Sequence, residues 1–150
     1  MYPNPEVASF VSSNFVPVRI DVRKNGQLMQ RFGAQWTPTI LILDPDGTER
    51  HRVEGFLPVE DLLANFSLGL ARIAFARQRW DEAEQRYRDI VDRFPETEWA
   101  PESLYWAGVA KYKGSQDPKA LADTARRFKD KYSDSSWAKK SSVWAESRPQ

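Results

Sequence analysis

The sequence predicts an α/β unit followed by an all-α array of helical hairpins. Three observations carry this. Residues 16–22 alternate in the manner of a strand, and an aliphatic run at 40–43 ends in a turn, Asp44-Pro45-Asp46-Gly47. From Pro58 onward the apolar residues fall at helical spacing. Within that helical part a pattern returns after 38 residues: Phe94, Trp99, Ala100, Ser103, Trp106 and Ala107 reappear as Tyr132, Trp137, Ala138, Ser141, Trp144 and Ala145. A chain of 150 residues holds one ordinary domain or two small ones. The change of pattern puts the boundary at 66, with an α/β part over 1–66 and helical repeats over 67–150.

In the first part, Asn4 caps a helix that has Pro5 at its first position and Glu6 in its first turn, with Val7, Phe10 and Val11 on one face. Val16, Val18, Ile20 and Val22 share one face of a predicted strand, with Pro17 near its start. Asn25-Gly26 breaks this strand. A short helix then runs from Gln27 to Phe32 and stops at Gly33. Ile40-Leu41-Ile42-Leu43 reads as a strand buried on both faces. In the turn after it, Pro45 presets φ and Gly47 tolerates positive φ, so Thr48–Phe56 returns as the second arm of a hairpin.

In the second part, Val59, Leu62, Leu63, Phe66, Leu70 and Ile73 define an amphipathic helix. Asp81 is the expected N-cap of the next, which carries Ala83, Tyr87, Ile90, Val91 and Phe94 and ends at Pro95. A helix from about Pro101 to Tyr112 should break at Gly114-Ser115. Asp117-Pro118 opens another with Leu121, Ala125 and Phe128, and a last helix starts near Asp134. One helical hairpin cannot bury its apolar face alone, so a repeat of this length implies stacked hairpins with the last helix as a cap.

Composition excludes several functions. The net charge of +1, with both signs interspersed, provides no field for nucleic acid or an anionic membrane. No apolar run reaches the ~18–20 residues of a membrane span. The chain contains no cysteine, so it has no disulfide, cysteine-held metal or thiol nucleophile of its own. The single histidine, His51, cannot complete a multi-histidine metal site and reads as an exposed strand residue. Asp44 and Asp46 lack the further ligand spacing of a Ca²⁺ loop and read as turn residues. The Asn65-Phe66-Ser67 triplet sits inside a predicted amphipathic helix, which makes it an accidental glycosylation pattern. Arg72, Arg77, Arg79, Arg86, Arg88 and Arg93 interleave with Glu82, Glu84, Asp89 and Asp92, as on a solvated helix face with i,i+4 pairs. We therefore expect no cofactor, no metal, no nucleic acid and no membrane partner, and a cytoplasmic location.

Both parts resemble known families. Residues 66–145 resemble a tetratricopeptide-repeat array through Leu70, Ala71, Ala74, Ala83, Tyr87 and Pro95, with Gly108 and Leu121 marking a second, less regular unit. Residues 2–66 resemble the later part of a bacterial-type thioredoxin-like domain. The carriers are Phe15-Val-Pro-Val-Arg-Ile-Asp-Val22, then Trp36-Thr37-Pro38-Thr39 with its aliphatic strand, the Asp-Pro-Asp-Gly hairpin, and Glu54-Gly55-Phe56. The resemblance implies a cis Thr37–Pro38 bond beside redox cysteines that this chain lacks. It also places Met1-Tyr2-Pro3 after the helix that such cysteines open, with an absent strand between 16–22 and 38–43. Two explanations follow. The chain is a fragment of a longer, redox-active protein, or it is a degenerate domain that pairs those strands directly or borrows one from a partner.

By resemblance, Trp36, Thr37 and Pro38 form a substrate-facing floor, the parent performs thiol–disulfide exchange in cell redox homeostasis, and a protein or peptide client is held by the repeats. This chain alone is then not catalytic. The alternative is a non-enzymatic interaction scaffold. Trp99, Trp106, Trp137 and Trp144 occupy equivalent repeat positions, which suits inter-helix packing. A sharper reading puts Tyr105, Trp106 and Lys111 on a peptide groove. Strand borrowing predicts homo-oligomers through open strand edges, visible as self-association in size-exclusion chromatography with light scattering. A well-behaved monomer would count against it.

Overall fold

The computed structural model describes residues 4–146; Met1–Pro3 lie outside the described residues, and with them the reading made of that stretch. The chain divides into a first unit ending at Leu63 and a second beginning at Ala64.

The first unit opens with α1 (Pro5–Asn14), and the Asn4 side chain accepts from the amides of Glu6 and Val7 at 2.9 and 3.2 Å. Helix α2 (Gly26–Phe32) stops at Gly33, whose φ of 62° is left-handed and sterically free for glycine. Strands β1 (Thr39–Leu43) and β2 (Glu49–Glu54) form an antiparallel pair, Thr39 opposite Glu54 and Ile42 opposite His51. A bulge between Ile42 and Leu43 leaves Arg50 opposite no residue of β1. Its guanidinium pairs instead with the buried carboxylate of Asp44.

Three expectations fail here. The run at 40–43 forms its strand but is not buried on both faces: Ile42 is buried, Ile40 and Leu41 are half-buried and Leu43 is exposed. Residues 16–21 form no strand, and Val16 and Val18 stand 91% and 78% exposed. Alternation supplies a strand's pattern, but the ladder needs a partner, and β1 is hydrogen-bonded only to β2 among the described residues. His51 is buried, not exposed, because the register turns it to the face of β2 that also buries Val53.

Helix α3 (Val59–Ala76) has residues on both sides of the division. Within the second unit follow α4 (Trp80–Arg93), α5 (Trp99–Ser115), α6 (Lys119–Asp130), α7 (Ser136–Ser141) and a 3-10 turn, Ser142–Glu146. Asp81 lies in the first turn of α4 rather than at its cap, a position that still favours a negative charge. Helix α5 runs through Gly114 and ends only at Gln116, which takes the left-handed conformation at φ 59°. A glycine costs an exposed helix about 1 kcal/mol, too little to end one that packs well. The basic stretch of α4 forms the expected pairs, Arg86–Glu82 at 3.1 Å and Arg88–Glu84 at 2.8 Å. Asn65 is buried in α3, where the folded packing leaves no room for a glycan.

The repeat is preserved down to its hydrogen bonds. Thr97 Oγ1 donates to the Phe94 carbonyl and, 38 residues on, Ser135 Oγ donates to that of Tyr132, each at 2.8 Å. The Tyr132 hydroxyl donates to the Pro95 carbonyl at 2.7 Å and so joins the two connectors.

Small residues set the helix spacing. Ala100, Ser103, Ala107, Gly108 and Ala110 of α5 are buried, as are Ala120, Thr124 and Ala125 of α6. A Cβ on Gly108 would lie 2.1 Å from Thr124 Oγ1 and 2.8 Å from Thr124 Cβ. Gly108→Ala should therefore cost about 1–3 kcal/mol or prevent α6 from docking. Gly26→Ala, which meets open space, should be neutral or stabilising by up to about 1 kcal/mol. Urea unfolding followed by helical circular dichroism separates the two variants.

Candidate functional site

The first candidate is the loop from Ala34 to Pro38. Its entry is held by Arg52 of β2, a strand residue that reaches the C-terminal end of α2. There Nη1 donates to the Gly33 carbonyl at 3.3 Å and Nη2 to that of Phe32. These are carbonyls that a helix end leaves unsatisfied, and a cation suits the negative end of the helix dipole. Glu49 orients the same guanidinium, at 2.6 Å from Nε and 3.0 Å from Nη2. That hydrogen bond, with the nearby positive charge, holds the Glu49 carboxyl below its ordinary pKa.

The loop's exit is fixed by two further bonds. Thr39 Oγ1 donates to the Trp36 carbonyl at 2.7 Å, and the Gly55 amide donates to the Pro38 carbonyl at 2.8 Å. The Thr37–Pro38 peptide is cis. Between these fixed carbonyls, neither the amide nor the carbonyl of Thr37 makes a hydrogen bond among the described residues. Trp36 beside it is 66% exposed and Pro38 half-buried. Trp36, Thr37 and Pro38 thus adjoin on one loop that exposes an apolar ring and a peptide group left to solvent. The same loop carries no carboxylate, imidazole or thiol; its one hydroxyl is that of Thr37. Among the described residues, no group of three or more His, Cys, Asp or Glu could hold a metal ion.

The second candidate is a ladder of aromatic rings in the second unit. Phe75 of α3 meets Trp80 edge-on at 5.0 Å and Trp106 at 5.3 Å. Trp106 meets Tyr105 at 5.4 Å, and Tyr105 meets Trp137 at 5.1 Å and stacks on Trp144 at 4.6 Å. Edge-to-face and offset geometries of this kind contribute about 0.5–1.5 kcal/mol per pair beyond area burial. The rings are half-buried, so each both packs and presents a face. Packing and groove are therefore not exclusive for Tyr105 and Trp106. Lys111 is exposed further along α5. Two other cations lie directly on the ladder, with Lys140 Nζ 4.0 Å from the Trp137 ring centre and Lys113 Nζ 5.4 Å from that of Trp80. Phe75 and Trp80, absent from the sequence-based groove, join it because the chain reverses at Gln78 (φ 58°) and folds one ring against the other. Their signal in sequence was two aromatics flanking a polar break, Arg77-Gln78-Arg79.

A small α/β unit with a proline loop beside its hairpin, joined to helical hairpins with a repeated connector, defines a two-part class: an α/β domain followed by a helical-repeat scaffold. Residues 1–67 match the thioredoxin-like domain family, and residues 67–97 and 102–135 match the tetratricopeptide repeat. The protein is a thioredoxin-like domain followed by tetratricopeptide repeats. No curated protein and no solved structure matches it. No helix among the described residues is long and apolar enough to cross a membrane.

Tyr87 of α4 supports the ladder from beneath, 6.5 Å from Phe75, and burial raises its phenol pKa well above the ordinary value of about 10. The folded state then keeps the proton that the unfolded chain releases. Stability should be fully present below pH ~10 and fall as the pH rises above it. Tyr87→Phe should flatten this alkaline limb in urea unfolding measured between neutral and alkaline pH. An unchanged limb would show that Tyr87 does not set it.

Proposed function

We propose that this chain is the client-binding part of a thioredoxin-family system. The repeats hold a protein or peptide client along the aromatic ladder, and the loop at Trp36–Pro38 contacts an extended segment of a client. The observation that carries this reading is the solvent-exposed Thr37 peptide group, without a hydrogen bond among the described residues, beside an exposed tryptophan. A buried or satisfied loop would have nothing to offer a main chain, whereas this one has a donor and an acceptor in place. The aromatic ladder adds rigid, half-buried anchors of the kind that dominate binding energy.

Thiol–disulfide exchange in this system would require cysteines that the chain does not contain. The redox step therefore falls to another polypeptide segment or to the client. A second reading, a scaffold without redox chemistry, is favoured by that same absence of cysteine. In both readings the repeats, taken as residues 67–150, do the holding, and a soluble cytoplasmic setting suits the work. The open edge of β1 and the exposed Val16 and Val18 also support self-association through strand addition.

Peptide-array binding followed by titration tests the proposal. Tyr105→Ala and Lys111→Ala should weaken a selected peptide about ten-fold, with the melting temperature of Lys111→Ala unchanged. A peptide bound by both variants as tightly as by the unaltered chain would remove the groove. Insulin reduction by this chain should stay at the uncatalysed rate, and measurable turnover would overturn the division of labour.

A further inference from the structure

Among the described residues two aromatic side chains are exposed, Trp36 at 66% and Phe56 at 90%; every other one there is buried or half-buried. The two stand twenty positions apart in the sequence, yet the fold joins their segments. Gly55 donates its amide to the Pro38 carbonyl at 2.8 Å, and Thr39 stands opposite Glu54 in the ladder. Trp36 precedes that junction by two residues on one side, and Phe56 follows it by one on the other. Gly55 permits this exit from β2, since its φ of 89° is a conformation that a side chain would oppose.

Single exposed apolar side chains are ordinary on a protein surface, but two large rings at one junction mark a contact surface. Neither ring meets another ring or a cation among the described residues, so neither is spent on packing. The charges at this end of β2 are already satisfied within the hairpin. Arg52 holds Glu49 at 2.6 Å and Glu54 at 3.5 Å. The loop itself, Ala34–Pro38, carries no charged residue. What remains exposed is apolar on both sides of the Thr37 peptide group, with no unpaired charge in the loop to draw a charged side chain.

From these features we infer that Phe56 is a second anchor of the loop site, and that with Trp36 it selects aliphatic side chains on a client's extended segment. The inference rests on the reading of this loop as a client contact and names the chemistry of that client. When an extended segment is added to a strand or loop, main-chain bonds hold it while its side chains distinguish one sequence from another. Thr37 supplies the main-chain donor and acceptor, and the two rings receive the side chains on either side of the bonded residue. Rigid aromatic anchors of this kind carry a large share of binding energy. In sequence Phe56 is only the end of the hairpin's second arm; the bond between Gly55 and Pro38 brings it to the loop.

The test uses the full chain and two neutral probes, acetyl-Thr-Leu-Thr-Leu-Thr-amide and acetyl-Thr-Ser-Thr-Ser-Thr-amide. Nuclear magnetic resonance follows two signals during each titration. The backbone amide of Thr37 reports main-chain contact, and the indole N–H of Trp36 reports side-chain contact. The leucine peptide should shift both signals and bind at least about five-fold tighter than the serine peptide. Phe56→Ser, a change at a position 90% exposed, should bring the two peptides to equal affinity without moving the melting temperature. A Thr37 shift with equal affinity for both peptides on the unaltered chain overturns the inference and leaves the main-chain contact standing. A leucine preference that survives Phe56→Ser overturns it as well. A Thr37 amide that responds to neither peptide removes the loop site itself, and the inference with it. Shifts of Trp36 that grow with protein concentration in the absence of peptide, and vanish in Phe56→Ser, would assign the two rings to a second copy of the chain and overturn it too.

Discussion

The repeat unit depends on how closely α5 and α6 approach. Thr124 Oγ1, turned back to the Ala120 carbonyl at 2.8 Å, occupies the volume that any side chain at position 108 would need. That contact sets the spacing of the hairpin, and the hairpin's spacing sets where the aromatic rungs of α5 stand relative to α7. Helix α5 packs against α4, α6 and α7, so small residues ring it on several sides rather than along one stripe. Helices α4 and α6 keep a single apolar face, Ala83, Tyr87 and Ile90 in the one and Ala120, Thr124, Ala125 and Phe128 in the other.

In the first unit the comparable constraint is Arg52. Its guanidinium joins β2 to the C-terminal end of α2, where peptide carbonyls would otherwise be left to water. The loop carrying Trp36, Thr37 and Pro38 begins at that junction and ends at the Pro38–Gly55 bond. The loop is fixed at both ends, while the Thr37 peptide group between them makes no hydrogen bond among the described residues. The function proposed for the chain combines such a loop with a ladder of anchors, and neither part needs a thiol to bind.

Much of the fold was legible in the sequence. Capping by Asn4, the stop at Gly33, the turn at Asp44–Gly47 and the 38-residue echo are local or periodic signals, and each has its counterpart in the structure. The failures are equally specific. Residues 16–22 had a strand's alternation without a partner to complete it. His51 was misjudged because a lone polar residue between two arginines gives no clue to the face it will occupy. Asp81 and Gly114 were read by propensity, worth about 1 kcal/mol or less at each position, and packing outweighed it.

The sequence by itself determined the two-part organisation, the repeat period, the proline loop and the absence of any thiol, because these are properties of order, spacing and composition. Only the tertiary structure decided which rings touch, which carboxylates find a cation and which peptide group is left without one. Those depend on residues such as Phe75 and Trp106, or Arg72 and Glu102, which lie about thirty positions apart in the chain and meet only once the helices have packed. Hydrogen bonds and ring contacts act over a few ångströms, and the chain reaches that proximity through folding alone.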